Sequence, residues 1–268
     1  MISRGMEIAS KGMMSLLDMN DTVANNLANV NTAGFKKSNL TFRSIYDTRV
    51  EQATSNDIKT ADYRHVGDIS MGSQTDRSIL AFTQGILEKT DTPLDVAIEG
   101  DGFFKVKDDK GDIYYTRNGQ LRINSKNILT TSDGDQVLDT KGKPIIIDLN
   151  ATRATLNDIV IREKGELSIN SPTAPQMLQT IGIYDFSNKA DIESVGNSKF
   201  KVTNSEQNPE LKADKFVLQQ GMRELSNSSV ITEMLNSINV SRNYESLSKF
   251  IKESGTLMDT AINIGRVR

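Results

Sequence analysis

Apolar residues recur at alternating steps of four and three along the first thirty residues of the chain. They fall at Ile2, Met6, Ala9, Met13, Leu16, Val23, Leu27 and Val30. Asn20 occupies the one remaining place in this heptad pattern. The pattern predicts a long helix packed against another helix along an apolar seam, in which a polar Asn fixes register at some cost in stability. The same spacing is also compatible with an ordinary amphipathic surface helix.

Two glycines lie one heptad apart in this segment, at Gly5 and Gly12. Each glycine in a helix interior costs about 1 kcal/mol relative to alanine. We therefore expect the backbone of a neighbour to approach this helix closely at both positions.

The carboxyl end of the chain repeats the heptad pattern. Its seam residues are Val240, Tyr244, Leu247, Ile251, Met258 and Ala261. Ser254 fills the gap in that series, and upstream Ile231, Leu235 and Ile238 continue an apolar stripe on a slightly rotated face. The run Ser226–Ser229 offers several N-caps, so a helix is predicted over about 229–263. Since neither terminal helix would be stable alone in water, we expect the two to pair.

The middle of the chain changes to short β-prone runs separated by turn dipeptides. These dipeptides are Asp101-Gly102, Lys110-Gly111, Asn118-Gly119, Asp133-Gly134 and Lys141-Gly142. Asn-Gly and Asp-Gly are strong hairpin signals because both residues tolerate positive φ. The pattern predicts an antiparallel β domain, and further strands are expected at 158–162, 166–169, 178–186 and 215–219.

The predicted fold class is α+β and discontinuous, with paired N- and C-terminal helices and a mainly antiparallel β domain inserted between them. The predicted helical, coiled-coil domain consists of 1–40 and 225–268. Residues 41–95, rich in Ser, Thr, Asp, Gln and Gly, are expected to form an extended linker with weak strand character. The β-rich domain is predicted over 96–224.

The charge balance and the apolar runs argue against several classes of partner. Lys and Arg total 32 against 35 Asp and Glu, which leaves no broad basic surface for nucleic acid. No run approaches the roughly 20 apolar residues of a membrane span. The amino terminus carries Glu7 and Lys11 where a cleavable secretory signal needs an unbroken apolar core. We expect neither membrane insertion nor nucleic-acid binding.

Candidate catalytic and metal-binding residues are scarce. The chain has no cysteine, and its one histidine, His65, is expected to be a solvated loop residue. The segment Gly100–Gly102 lacks the third glycine of a dinucleotide fingerprint and is interpreted as a turn. The acidic group Asp108, Asp109 and Asp112 lacks the spacing of a calcium loop. We therefore expect no catalytic residue, metal, cofactor or small-molecule substrate.

An asparagine-rich segment follows the first heptad pattern. It reads Asn25, Asn26, Leu27, Ala28, Asn29, Val30, Asn31, Thr32, Ala33, Gly34, Phe35, Lys36. This segment closely resembles the signature of bacterial flagellar basal-body rod and hook proteins. The resemblance continues in PLDVAIEGDGFF at 93–104, YTRNG at 115–119 and LTTSDG at 129–134, and in the C-terminal heptad region. In length and in its single β domain the chain is similar to the short FlgF and FlgG type, with the proximal FlgF-like protein slightly favoured over the distal FlgG-like one.

The resemblance implies a structural subunit that self-assembles helically through its terminal helices, together with other rod and hook proteins. It implies a drive shaft that transmits torque to the hook. It also implies export through the flagellar type III apparatus, and a periplasmic rod spanning the cell envelope. In a protein of this kind the terminal helices would stay disordered until neighbouring subunits supply a buried surface.

The signature residues also lead to local expectations. The amides of Asn25, Asn26, Asn29 and Asn31 are expected to cap the free carbonyls of the first helix or to bridge to adjacent helices. Simple local helix termination is the alternative. Lys36 and Lys37 are expected near exposed carbonyls at the negative pole of the helix.

Two other classes of function remain compatible with the residues. One is a non-catalytic β-scaffolded adaptor or adhesin whose coiled coil forms a small oligomer, with helical ends that are stable in the isolated protein. The other is a hydrolase, which would need a deep pocket lined by dispersed Asp and Glu. The rod hypothesis predicts that Leu27→Asp or Ile251→Asp blocks assembly while the β domain stays folded, because an unpaired charge in a seam costs several kcal/mol.

Overall fold

The computed structural model describes residues 2–45, 47–53, 63–70, 72–148, 154–170, 175–204 and 206–266. The chain forms two compact units. The first unit consists of Met1–Asn25, Asn39–Ser78 and Ile231–Arg268, and the second of Asn26–Ser38 and Ile79–Val230. The predicted α+β class is confirmed. Residues 26–38 belong to the β-rich unit and not to the helical one, because a buried ion pair and backbone hydrogen bonds join them to residues 224–227 of that unit.

Two long helices dominate the first unit. Helix α1 spans Ile2–Ala28 and helix α2 spans Val230–Arg266. A Cβ added at Gly5 would lie 3.7 Å from Phe250 Cζ, and one at Gly12 would lie 3.3 Å from Leu247 Cδ1. The predicted helix pairing is thus confirmed, whereas the predicted backbone approach at the two glycines was wrong, because side chains of α2 lie there. The two contacts progress in opposite directions along the chain, so the helices are antiparallel.

Four strands accompany the helices, in the segment predicted to be an extended linker. They are β1 (Ser38–Ser44), β2 (Asp47–Ala53), β3 (Tyr63–Ser70) and β4 (Ser73–Leu80). β1 pairs with β4, and β2 pairs with β3 antiparallel. His65 therefore lies in a strand, and its assignment to a loop was wrong. The scattered single apolar residues of this segment give only a weak strand signal in the sequence.

The second unit is built from short strands. In chain order they are β5 (Leu87–Lys89), β6 (Val96–Gly100), β7 (Phe103–Lys107), β8 (Ile113–Thr116), β9 (Leu121–Ile123), β10 (Leu129–Thr131), β11 (Gln136–Val137), β12 (Ile159–Ile161), β13 (Glu166–Asn170), β14 (Pro175–Thr180), β15 (Ile183–Asp185), β16 (Ile192–Gly196), β17 (Lys199–Val202), β18 (Leu211–Lys212), β19 (Phe216–Gln220) and β20 (Met222–Glu224). Two short 3₁₀ helices lie at Leu156–Asp158 and Lys189–Asp191.

The largest sheet of this unit has the order β16-β17-β8-β7-β11-β10-β9, and β15 joins it by pairing with β7 and with β18. A three-stranded sheet β12-β13-β14 and the pairs β19-β6 and β20-β5 complete the unit. These pairings are antiparallel, as predicted. The main hydrophobic core includes Val96, Ile98, Phe104, Leu129 and Leu167, all fully buried.

Tertiary contacts changed three of the local predictions. The strand expected over 178–186 is divided at Gly182, where an added Cβ would lie 2.8 Å from the Asp139 carbonyl oxygen. Gly119 does not form a tight positive-φ turn; an added Cβ there would lie 1.7 Å from the Val96 carbonyl oxygen. The run Ile145–Asp148, one of the short β-prone runs of the middle segment, contributes an isolated bridge, Ile128 to Ile146, in place of a strand. In each case the packing partner is distant in sequence and invisible to a local pattern.

Candidate functional site

The asparagine-rich segment forms a turn that leaves α1 and starts β1. Asn26 is buried, and its Nδ2 donates to the Ser38 carbonyl oxygen at 2.9 Å. The Ser38 amide in turn donates to Asn26 Oδ1 at 3.0 Å. The Asn26 side-chain amide thus pairs with both backbone groups of Ser38, in the way that the backbone of a neighbouring β-strand does. We predicted that Asn26 caps free carbonyls of the first helix. In the structure its side chain instead bonds the backbone of Ser38.

The other asparagines of the segment lie in different surroundings. Asn29 Oδ1 accepts a hydrogen bond from Thr32 Oγ1 at 3.2 Å, which closes the turn locally. Asn25 and Asn31 are exposed. Val30, predicted as the last seam residue, lies in the turn beyond the helix end. Its amide donates to the Leu27 carbonyl oxygen at 3.3 Å, as in a terminating helix.

Gly34 is required at its position for two reasons. Its φ is +69°, in the left-handed region that favours glycine. A Cβ there would also lie 2.3 Å from the Asn118 amide nitrogen and 2.6 Å from the Arg117 carbonyl carbon. The Gly34 amide donates to the Glu224 carbonyl oxygen at 2.9 Å. The turn at Gly34 therefore packs directly against the backbone of Arg117 and Asn118.

Lys36 is a buried cation. Its Nζ lies 2.6 Å from Glu224 Oε1, and neither side chain has any exposed surface. Nζ also donates to the Thr83 carbonyl oxygen at 2.8 Å. The prediction that Lys36 lies near carbonyls at the helix end was wrong: burying an ammonium group requires a carboxylate partner, and that partner is 188 residues away.

Arg117 completes what we call the ion cluster, which consists of Lys36, Arg117 and Glu224. Arg117 Nη1 lies 3.3 Å from Glu224 Oε2, and its side chain is 2% exposed. Its Nη2 donates to the Gly100 carbonyl oxygen at 2.8 Å, and the guanidinium lies 5.3 Å from the centroid of the Phe103 ring. Glu224 Oε1 also accepts from the Gly85 amide at 2.9 Å. Backbone dipoles and the aromatic face thus offset the second positive charge.

Burial has a direct effect on the Lys36 ammonium. Removal from water lowers the pKa of Lys36, and the nearby Glu224 carboxylate opposes that shift. The net direction is downward, so desolvation outweighs the attraction. A carboxylate at position 224 is accordingly needed to keep two buried cations in place.

A second set of contacts, made by Asn227, joins the same two parts of the chain as the ion cluster. Asn227 Oδ1 accepts from the Lys37 amide at 2.8 Å, and its Nδ2 donates to the Ala81 carbonyl oxygen at 2.6 Å. Residues directly after the α1 turn are therefore bonded to residues directly before α2. Sequence reasoning missed Arg117, Glu224 and Asn227 as site residues. Arg117 carried a signal because it lies in the YTRNG motif of the resemblance, and Asn227 was considered only as one of several N-caps of the second helix.

The predicted seam residues differ in burial. Ala9, Val23, Val240 and Ser254 are buried. A second group is partly exposed: Met6, Met13, Leu16, Asn20, Leu27, Val30, Tyr244, Leu247 and Ile251. Met258 and Ala261 are exposed, and the side chain of Ile2 lies outside the described residues. Leu27 and Val30 belong to the second unit and the other seam positions to the first.

Within the described ranges, no group of three or more His, Asp or Glu side chains is placed to hold a metal ion. No helix in the same part of the chain is long and apolar enough to cross a membrane.

Comparison with known protein families matches three parts of the chain. Residues 6–36 match the family described as flagella basal body rod protein, 97–169 the flagellar hook protein FlgE/F/G D1 domain, and 219–264 the flagellar basal body rod FlgEFG protein C-terminal region. The flagellar basal-body rod protein FlgG of Borreliella burgdorferi is 35% identical over 98% of this chain and 99% of its own length. The chain belongs to the flagellar basal-body rod protein family.

Other members of the rod family are similar over nearly the whole length. FlgF of Caulobacter vibrioides is 32% identical over 92% of this chain, and FlgG of Bacillus subtilis is 29% identical over 95%. The first and last family matches include Gly34, Lys36 and Glu224, which the fold brings into one turn and one buried cluster. Membership of the rod family supports a structural role in the flagellar basal body and assembly with other rod and hook proteins.

Proposed function

We propose that this rod-family protein is a subunit of the drive shaft that transmits torque to the hook, and that it self-assembles helically through α1 and α2. The observation that supports this is the incomplete core of the first unit. Many side chains in the β-rich unit are fully buried, whereas Tyr244, Leu247 and Ile251 of the α2 seam remain partly exposed in a single chain. Neighbouring subunits would complete that burial.

The remaining parts of the proposal follow from the family. The subunit would be exported by the flagellar type III apparatus and would lie in the periplasmic rod that spans the cell envelope, with no catalytic role. Relatives named FlgG and FlgF match this chain at similar identity, so the preference for the proximal position stays a proposal.

Ile251→Asp is expected to abolish polymerisation, because assembly would bury a carboxylate in the seam at a cost of several kcal/mol. Sedimentation of the purified chain under assembly conditions measures this. Lys252→Asp, at the adjacent exposed position, is the matched control and should polymerise normally. Ile251 is preferred to Leu27 because Leu27 lies in the second unit, where a charge would also disturb the turn. Normal polymerisation of Ile251→Asp would exclude the seam as an assembly surface.

Hydrogen exchange on the monomer separates the rod from the small-oligomer adaptor. For a rod subunit we expect fast exchange in residues 2–25 and 231–266 beside a protected core at 96–107, with protection of the helices appearing only in the polymer. Slow exchange in both helices of the dilute protein would favour the preformed coiled coil of an adaptor or adhesin.

A further inference from the structure

The backbone that packs against Gly34 contains the one Asn-Gly dipeptide of the chain, Asn118-Gly119. In an unfolded chain such a dipeptide loses ammonia spontaneously, because glycine has no Cβ to hinder its backbone nitrogen. That nitrogen bonds to Asn118 Cγ, the Cγ–Nδ2 bond breaks, and Nδ2 leaves as ammonia with the proton of the Gly119 amide. Water then opens the five-membered succinimide ring at either carbonyl, which gives aspartate or isoaspartate.

The fold requires the glycine of this reactive pair. A Cβ at position 119 would lie 1.7 Å from the Val96 carbonyl oxygen. The Val96 amide also donates to the Gly119 carbonyl oxygen at 2.9 Å, so the two backbones lie against each other. A side chain that would slow the reaction is therefore excluded by packing.

The fold also uses both ends of the asparagine amide. Asn118 Oδ1 accepts from the Gln120 amide at 3.1 Å, and Nδ2 donates to Ser132 Oγ at 3.2 Å. The Asn118 backbone amide donates to Thr116 Oγ1 at 3.0 Å. An amide is the side-chain group that accepts at one end and donates at the other. The turn therefore contains a chemically labile pair because its contacts require both residues.

The same contacts oppose the reaction in the folded chain. Ring closure requires the Asn118 amide to leave Gln120 and Ser132 and to rotate until Cγ lies against the Gly119 nitrogen. Asn118 is only 8% exposed, which limits the escape of ammonia and the entry of water. The turn at Gly34 covers the backbone of this residue, since a Cβ on Gly34 would lie 2.3 Å from the Asn118 nitrogen.

We propose that Asn118 is a site of spontaneous deamidation that reacts in the unfolded chain and is protected by folding. An isoaspartate at this position routes the backbone through the side-chain carbon and lengthens it by one atom. The added atom displaces the Asn118 amide from Gly34 or the Gly119 carbonyl from Val96. Chains that react before they fold are thereby excluded from the native state. The inference goes beyond the rod role and does not depend on it.

The rate of the reaction is measured on the full-length chain at neutral pH, with one sample folded and one in concentrated urea. Cleavage after lysine releases the peptide 111–126, which also contains Asn124-Ser125 as an internal comparison. Chromatography and fragmentation mass spectrometry locate the aspartate and isoaspartate. We expect them to accumulate at position 118 at least tenfold faster in urea than in the folded sample, and faster than at position 124. Equal rates at position 118 in the two samples would overturn the protection by folding.

Ser132→Ala tests whether the hydrogen bond to Nδ2 contributes to the protection. Ser132 is exposed, so the substitution leaves the core unchanged. We expect deamidation of Asn118 in the folded variant to be at least threefold faster than in Ser194→Ala, which alters an exposed serine on β16. In urea the two variants should react at the same rate. Equal rates in the two folded variants would overturn the role of the Ser132 contact.

Refolding tests the consequence of the modification. The chain is kept in urea until about half of position 118 has reacted, and is then diluted into native buffer. Size-exclusion chromatography separates folded from misfolded protein, and circular dichroism identifies the folded fraction. We expect isoaspartate at position 118 to be at least fivefold depleted in the folded fraction. An equal content in both fractions would overturn the exclusion of modified chains. None of these measurements involves polymerisation, so their outcomes are separate from the test of the rod role.

Discussion

Glu224→Gln is expected to lower the free energy of unfolding of the β-rich unit by about 3–5 kcal/mol, enough to unfold it at moderate temperature. The amide keeps an acceptor for the Gly85 N–H but removes the negative charge. Lys36 and Arg117 would then be buried as two cations without a carboxylate. Urea unfolding followed by circular dichroism measures the loss, since the chain has no Trp.

Glu193→Gln is the matched control for this prediction. Glu193 lies on β16 with an exposed side chain, so its substitution should change the free energy of unfolding by less than about 0.5 kcal/mol. Lys36→Met in the Glu224→Gln background removes one of the unpaired cations and should recover part of the loss. Equal stability of the Glu224 and Glu193 variants would mean that the ion cluster does not stabilise the unit.

The loss of Glu224 should also affect assembly indirectly. Lys36 follows the α1 turn and Glu224 closely precedes α2, so their ion pair joins the two points where the chain leaves and re-approaches the helical unit. A chain in which this connection is broken keeps only the Asn227 hydrogen bonds between these two points. Destabilised Glu224→Gln chains should therefore polymerise poorly, even though position 224 lies outside both helices.

Gly34→Ala is expected to destabilise the β-rich unit by about 3 kcal/mol or more. The methyl group would occupy space held by backbone atoms of Arg117 and Asn118, which cannot rotate away as a side chain could. Positive φ adds a further cost of about 1 kcal/mol for a residue with a Cβ. Relieving the clash requires the turn to lift, which would also weaken the hydrogen bond from the Gly34 amide to the Glu224 carbonyl oxygen.

Gly142→Ala separates the steric effect from the conformational one. Gly142 has a φ of +75°, close to that of Gly34, but no atom lies within 4 Å of an added Cβ. Its substitution should cost only the backbone term of about 1 kcal/mol. Thermal melts of the two variants measure the difference, and equal melting temperatures would show that the turn is free to move away from Asn118.

The sequence by itself determined the features that depend on local spacing. Heptad periodicity identified both terminal helices and their pairing, and turn dipeptides identified an antiparallel β-rich middle. The Gly-Phe-Lys signature, read with the flanking motifs, identified the family. Each of these signals comes from a short stretch of the chain. Within such a stretch, the spacing of apolar side chains and the backbone preferences of the residues decide which secondary structure forms.

The tertiary structure alone decided where the charged and small residues of the signature act. From the neighbouring sequence alone, Lys36 would be expected to be a solvated cation and Glu224 to be one of many surface carboxylates. Their pairing emerges only when strands distant in sequence enclose both and exclude water, which makes each charge depend on the other. Local patterns likewise identify Gly34 and Gly119 as turn residues. Gly34 does have the positive φ of a turn, but at both positions the fold also requires glycine because the backbone of a distant segment lies where a Cβ would be. Such constraints arise between segments, and so no pattern within one segment encodes them.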